Sequence, residues 1–238
     1  YTSGHSKRVA EYSKIIAKRM GKSVTEQEMI YRAGLLHDVG KIRIPVDIIN
    51  KPGKLTDEEY DLIKIHPVTG YHILKDISEH YDIAIAAKYH HERYDGKGYP
   101  NGLLGENIPE LARILAIADS YDAMTSNRSY RKGLPQSVVR SEIEKGKGTQ
   151  FDPDIADIML QIIDEDKEYT LRQIERTEYK ILMVGEDSEC NQRVKDILQK
   201  DSIYEVIIQN TVNVESVLEK CKENSFELIL LDIQMDKG

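Results

Sequence analysis

Through most of the first 163 residues of this 238-residue chain, apolar residues return every three to four positions, the period of a helix with one buried stripe. Val9, Tyr12, Ile15, Ile16 and Met20 predict a helix over 6–20, stopped by Gly21. Thr25 and Glu28 have the spacing of a capping box and open a second helix that runs to Val39 and ends at Gly40. Thr56 with Glu59 repeats that signal, and Pro67 is expected to break or kink the helix after it. Further helical patterns cover 68–77, 82–91, 109–125, 136–145 and 154–165. Between them lies a loop, Tyr94 to Asn107, with four glycines and a proline, the kind of segment a rigid scaffold can present to a ligand.

Residues 164–179 are highly charged with sparse apolar positions, which predicts a solvated connecting helix. After Tyr179 the pattern changes. Lys180–Val184 and Leu228–Leu231 are short apolar runs and Tyr204–Ile208 is rich in β-branched residues, with helical patterns over 189–199 and 213–223 between them. That order, β-α-β-α-β, argues for a parallel sheet. The first strand leads into Glu186 and Asp187 and the third into Asp232, at the carboxyl ends where parallel sheets bind ligands. The chain therefore divides into a helical bundle over 1–163, a linker over 164–179 and a partial α/β segment over 180–238.

Charge supports the division. Residues 1–163 hold 23 Lys+Arg and 23 Asp+Glu, leaving 33 − 23 = 10 and 41 − 23 = 18 for the remainder, so the whole net charge of −8 sits there. A neutral main body has no global field for nucleic acid or an anionic membrane, and no DNA partner is expected. The two cysteines, Cys190 and Cys221, fit neither a disulfide framework nor a thiolate zinc site, and suit a reducing cytoplasm. No apolar run approaches the length of a membrane span. A start at Tyr1 and a stop at Gly238, just after an apolar run, suggest a segment of something longer.

The chemistry concentrates in five histidines and two aspartates: His5, His37, Asp38, His66, His90, His91 and Asp119. All are ligand types for divalent cations, and without cysteine the set favours iron or manganese over structural zinc, while nickel, zinc or magnesium remain acceptable. Each falls on or at the end of a predicted helix, as in bundles whose metal ligands project inward from facing helices. Adjacent His37 and Asp38 point about 100° apart on a helix, so both reach one site only near its end. An aspartate has two oxygens and can bridge two cations, and two such ions can clamp the attacking and leaving oxygens of a phosphoryl displacement. Lys41 comes directly after Gly40 and is placed to neutralise phosphate charge.

Gly34-Leu-Leu-His37-Asp38-Val-Gly40-Lys41, then His66-Pro67 with Gly70, then the run His90-His91-Glu92-Arg93-Tyr94-Asp95-Gly96-Lys97-Gly98-Tyr99-Pro100, then Ala118-Asp119-Ser-Tyr-Asp122-Ala123 succeed one another in order. Together they resemble the HD-GYP branch of the HD phosphohydrolase superfamily over residues 1–163. The resemblance implies an all-α HD-type bundle and a bacterial cyclic di-GMP phosphodiesterase. It places His5, His37, Asp38 and Asp119 around one metal, with Asp38 bridging to a second held by His66, His90 and His91. It also implies that Tyr99, Arg128 and Arg131 contact the ligand. Asp95 and Asp122 are read as hydrogen-bond acceptors, behind the ligands or structural, rather than as ligands themselves. Some members carry a glutamate four residues before the first histidine that helps hold a third metal. Tyr1 stands at that position here, so a two-metal centre is expected, with linear pGpG as the main product and slower conversion to GMP. His72 and His80 match no motif position.

The segment from 180 resembles the first half of a two-component receiver of flavodoxin-like fold. Glu186 and Asp187 would be the acidic pair for Mg2+ and Asp232, in Leu231-Asp232-Ile-Gln-Met, the phosphate acceptor, although Asp236 replaces the usual proline. The implied partners are cyclic di-GMP, diguanylate cyclase domains, a histidine kinase and a second copy of the chain. Two alternatives stay open: an HD-type phosphohydrolase for another cyclic dinucleotide or a nucleotide monophosphate, and a non-catalytic module binding partners through the same loop. Gly98-Tyr99-Pro100 speaks against the first. The complete ligand set speaks against the second.

Overall fold

The computed structural model describes residues 4–49, 51, 53–76, 81–126, 132–172, 179–184, 189, 191–192, 195–196, 204–209, 214–223 and 228–231. It divides into two compact units, Tyr1–Ile174 and Glu175–Gly238.

The first unit is helical: α1 (His5–Arg19), α2 (Val24–Leu36), α3 (Val46–Ile49), α4 (Asp57–Ile63), α5 (His66–Leu74), α6 (Tyr81–Tyr89), α7 (Glu110–Thr125), α8 (Gln136–Gly146) and α9 (Pro153–Glu165). The apolar stripe of α1 buries Val9, Tyr12 and Ile16 against α7, whose Ile114, Leu115, Ile117 and Ala118 are fully buried, and α6 adds Ile83, Ala84 and Ala87 to the same core through its packing on α2, α5 and α7. Small residues set the spacing. A Cβ on Gly34 of α2 would stand 2.4 Å from the Ala10 Cα, so only glycine lets these two helices approach so closely. Among the described residues no helix is long and apolar enough to cross a membrane.

Several sequence expectations are corrected in detail. The second helix is capped by Ser23, with Glu26 completing the box, not by Thr25 and Glu28. Gly21 turns the chain at φ 75°, and Ser23 is the residue left in extended geometry, which places Thr25 and Glu28 inside the helix. That helix ends at Leu36 rather than Val39, and Val39–Arg43 form a 3₁₀ turn entered through Asp38. Pro67 neither breaks nor kinks a helix. It occupies the first turn of α5, where no backbone N–H is needed. The charged connector does not continue α9: the Asp166 carboxylate accepts from the Thr170 and Leu171 N–H groups, and Tyr169 takes φ 53°, so 166–170 turn the chain before a 3₁₀ step at 171–172, while 173–178 lie outside the described residues.

The second unit contains β1 (Tyr179–Val184), β2 (Tyr204–Gln209), α10 (Val214–Glu223) and β3 (Leu228–Leu231). The strands form one parallel sheet in the order β2-β1-β3, with Tyr179 opposite Tyr204 and Ile181 opposite Leu228. Leu182, Met183 and Val184 of the central strand are buried, as a continuous apolar run in a parallel sheet should be.

Candidate metal centre

Several helix ends and starts converge in the first unit. His37 comes directly after α2, His66 opens α5, His90 and His91 come directly after α6, His5 opens α1 and Asp119 lies within α7. Their ligand atoms form two groups, each with all members within 4.8 Å of one another: Asp38, His66, His90 and His91, and His5, His37 and Asp119. Asp38 joins them. Its Oδ2 lies 3.4 Å from His5 Nε2 and 3.4 Å from His37 Nε2, whereas Oδ1 lies 3.3 Å from His66 Nε2. His5 Nε2 is in turn 3.3 Å from Asp119 Oδ1.

The histidines are oriented for this by one repeated device. Nδ1 of His37 donates to the Gly34 carbonyl at 2.7 Å, that of His66 to the Ile63 carbonyl at 2.7 Å and that of His90 to the Ala87 carbonyl at 2.8 Å. In each case the acceptor lies three residues earlier, one of the carbonyls a helix end leaves without an intrahelical partner. A carbonyl only accepts, so the proton sits on Nδ1 and the Nε2 lone pair points inward.

The donor set fits cations. His37 Nε2 and Asp38 Oδ1 are buried without a hydrogen-bond partner, a costly state for groups that could bond water once unfolded. Nε2 of His66 and His90 face each other at 3.3 Å. Burial first, then the neighbouring histidines, hold His90 well below the usual imidazole range, so its lone pair is retained. Burial likewise lowers His91 to about 4. Asp38 is ionised far below the usual carboxylate range: burial opposes this, but His37, His5 and His66 outweigh it. Divalent cations among these groups would satisfy the unpartnered atoms and relieve the facing lone pairs.

Comparison with known proteins bears directly on the helical unit. The family model described as "HD domain" matches residues 1–155. The chain belongs to the HD domain family. A similar curated protein is the cyclic di-GMP phosphodiesterase response regulator RpfG of Xanthomonas campestris, 40% identical over 162 residues, which cover 67% of this chain and 43% of that protein. Another is 3'3'-cGAMP-specific phosphodiesterase 2 of Vibrio cholerae, 40% identical over 167 residues, covering 69% of this chain and 32% of that one. The chain thus spans less than half the length of either relative. Among solved structures, an HDG"Y"P protein from Bdellovibrio bacteriovorus superposes with a TM-score of 0.57 at 22% identity, over 68% of this chain and 52% of that one, which speaks for the fold alone. A second family model, described as the C2 domain of protein kinase C delta/epsilon/eta/theta, matches residues 136–236. That range begins at α8 and runs across the boundary at Ile174 into the sheet unit, so it corresponds to neither compact unit.

Behind His5 stands a charged pair of which the sequence pattern marks only one member. Asp122 accepts from His5 Nδ1 at 2.7 Å and from Arg8 Nε at 2.5 Å and Nη2 at 3.1 Å, with Ser126 Oγ adding a fourth bond at 3.1 Å. Arg8 and Asp122 are 2% and 1% exposed, so each depends on the other for charge compensation. Burial pulls against protonation of His5, but Asp122, Asp38 and Asp119 outweigh it and raise it to about 9, so a cation arriving at neutral pH displaces a proton there. Arg8 lies three residues after His5 on the α1 face that carries Tyr12, but its partner stands more than a hundred residues away on α7. Asp122→Asn keeps the volume but removes the charge that orients His5. The expected result is an affinity for Mn2+ lower by about tenfold to a hundredfold, read by competition with a chelating dye.

The remaining sequence candidates occupy varied positions. Lys41 Nζ lies 2.5 Å from Asp38 Oδ2, at the edge of the centre and partly exposed. Tyr99 stacks on His91, with ring centroids 4.8 Å apart and planes 23° apart. Asp95 is a structural acceptor. It receives a bidentate Arg93 and the Lys97 N–H, and so shapes the glycine-rich loop. Glu92, to which the sequence pattern assigns no role, is buried and accepts from the Asn101 N–H at 2.7 Å and the Leu103 N–H at 3.0 Å. A carboxylate directly ahead of a glycine-rich loop, whose backbone N–H groups need acceptors, was the available signal. His72 lies in α5, where its ring meets that of Tyr71 at 5.4 Å. Tyr1, His80, Arg128, Arg131, Glu186, Asp187 and Asp232 lie outside the described residues.

Proposed function

We propose that the helical unit is an HD-GYP-type phosphodiesterase that hydrolyses cyclic di-GMP to linear pGpG, and more slowly to GMP, with two divalent cations, iron or manganese. The observation that carries this reading is the division of Asp38 between two ligand groups, one oxygen toward each. Two sites sharing a carboxylate suit in-line displacement at a phosphodiester. Bound cations supply positive charge to the phosphate and acidify water there.

The chain's own residues do the rest. His5, His37 and Asp119 would hold one ion and His66, His90 and His91 the other, with Asp38 offering one oxygen to each group. Lys41 adds charge beside the phosphate, and Arg128 and Arg131 are assigned to phosphate or guanine, which a planar guanidinium can grip or stack upon. Water attacks phosphorus, the bond to the ribose 3′ oxygen breaks, and that oxygen leaves as a hydroxyl.

A second reading replaces the substrate by 3'3'-cGAMP, because a relative named for it is as similar, at 40% identity, as one named for cyclic di-GMP. Anaerobic turnover of metal-loaded protein against both, with linear dinucleotide resolved from mononucleotide, decides between them. The expected outcome is a higher kcat/KM for cyclic di-GMP with pGpG accumulating first. A preference for the mixed dinucleotide selects the second reading, and no turnover of either refutes both.

For residues 180–238 the parallel order β2-β1-β3 supports a receiver-like half domain, joined through 164–179. In that reading Glu186, Asp187 and Asp232 would bind Mg2+ and accept phosphate from a histidine kinase.

A further inference from the structure

Four of the five clustered histidines have the ring fixed by a hydrogen bond to Nδ1: His5 by Asp122, His37 by Gly34, His66 by Ile63 and His90 by Ala87. Among the described residues no hydrogen bond reaches either ring nitrogen of His91. Its ring is held by other rings instead. His90 lies 4.1 Å away at 43°, His66 lies edge-on at 5.0 Å and 90°, and the Tyr99 ring lies nearly parallel at 4.8 Å and 23°.

Tyr99 is held there by its own loop. Its backbone N–H donates to the His91 carbonyl at 3.2 Å, closing the chain back over the ligand. The reversal is tight: a Cβ on Gly98 would stand 2.3 Å from the Arg93 nitrogen and 2.5 Å from the Glu92 Cα. Glu92 then anchors the far side of the loop through the Asn101 and Leu103 N–H groups, bonds made stronger by its charge.

We propose that Tyr99 is the positioning residue for His91, doing by stacking what a hydrogen bond to Nδ1 does for the other four histidines, and that Glu92 holds Tyr99 in that role. The inference rests on the reading of this cluster as a metal centre, and adds to the substrate contact assigned to Tyr99. A stack fixes the plane of a ring without choosing its tautomer, so His91 is the ligand whose grip depends on packing. The hydroxyl has no part in this. The flat ring does.

The test is a calorimetric titration of the metal-free full chain with Mn2+, comparing wild type, Tyr99→Leu, Tyr99→Phe and Glu92→Gln. Wild type is expected to show two binding events. In Tyr99→Leu and Glu92→Gln one event weakens by about tenfold to a hundredfold, the usual effect of losing a ligand's orienting partner, and the other keeps its affinity. Tyr99→Phe retains both. Wild-type affinities in Tyr99→Leu overturn the inference, as does an equal loss in Tyr99→Phe, which would assign the effect to the hydroxyl. A wild type that takes up no Mn2+ refutes the metal reading itself and the inference with it.

Discussion

Asp38→Ala is expected to abolish paired metal binding and to lower turnover of cyclic di-GMP by at least about 10³-fold, since cation stabilisation of the transition state is worth several kcal/mol and each 1.4 kcal/mol is about tenfold. The size of the effect stems from position. Among the described residues Asp38 is the one carboxylate whose two oxygens face different ligand groups, and water entering in its place would bring no negative charge and could not span both. It is also the anion about which His5, His37, His66 and Lys41 are gathered. Loss of any one histidine leaves a partial set at one site, but loss of Asp38 removes a ligand from both. Asp38→Asn separates charge from shape: the amide keeps the volume and one acceptor oxygen. An intermediate Mn2+ affinity is therefore expected, with turnover as low as in Asp38→Ala. Metal content by mass spectrometry beside the turnover rate checks both variants. Normal hydrolysis by Asp38→Ala would eliminate the two-cation mechanism.

Much of this candidate centre was legible because its histidines and carboxylates sit at places the sequence marks. Helix periodicity located α1, α5, α6 and α7, and the histidines and aspartates fall at their ends or on their inner faces, so order along the chain nearly gave proximity in space. The features that sequence does not reveal depend on tertiary approach. Two capping boxes of identical spacing, Ser23 with Glu26 and Thr25 with Glu28, cannot be told apart without knowing where the turn at Gly21 releases the chain. Arg8 reads as one more surface charge until α7 brings Asp122 against it. Asp95 and Glu92 stand three residues apart in one motif. Which holds Arg93 and which holds the far side of the loop is set by how that loop folds back, which no residue pattern states.

Gly40 is the clearest case, and it carries the second large effect. In the sequence it is a helix stop, yet α2 has already ended at Leu36 and Gly40 lies inside the 3₁₀ turn beyond it. Its role is contact. A Cβ there would stand 2.0 Å from the His66 carbonyl oxygen and 2.5 Å from the Gly70 nitrogen, both backbone atoms that cannot rotate away. Gly40→Ala must therefore move the turn that carries Asp38 away from the start of α5, which carries His66, and these two groups are 3.3 Å apart in the centre. Overpacking of this kind costs about 1–3 kcal/mol or more. A fall in stability of that size in urea, together with loss of high-affinity Mn2+ binding, is the expected result. Gly70→Ala supplies the contrast across the same contact. A Cβ at Gly70 meets the Gly40 nitrogen at 3.5 Å and Ala87 Cβ at 3.7 Å, ordinary van der Waals distances, and alanine is the better helix former by about 0.5–1 kcal/mol. That variant should match or exceed wild type in urea and bind Mn2+ normally. Equal behaviour of the two variants would show that the close approach of Gly40 to His66 does not set the geometry of the site.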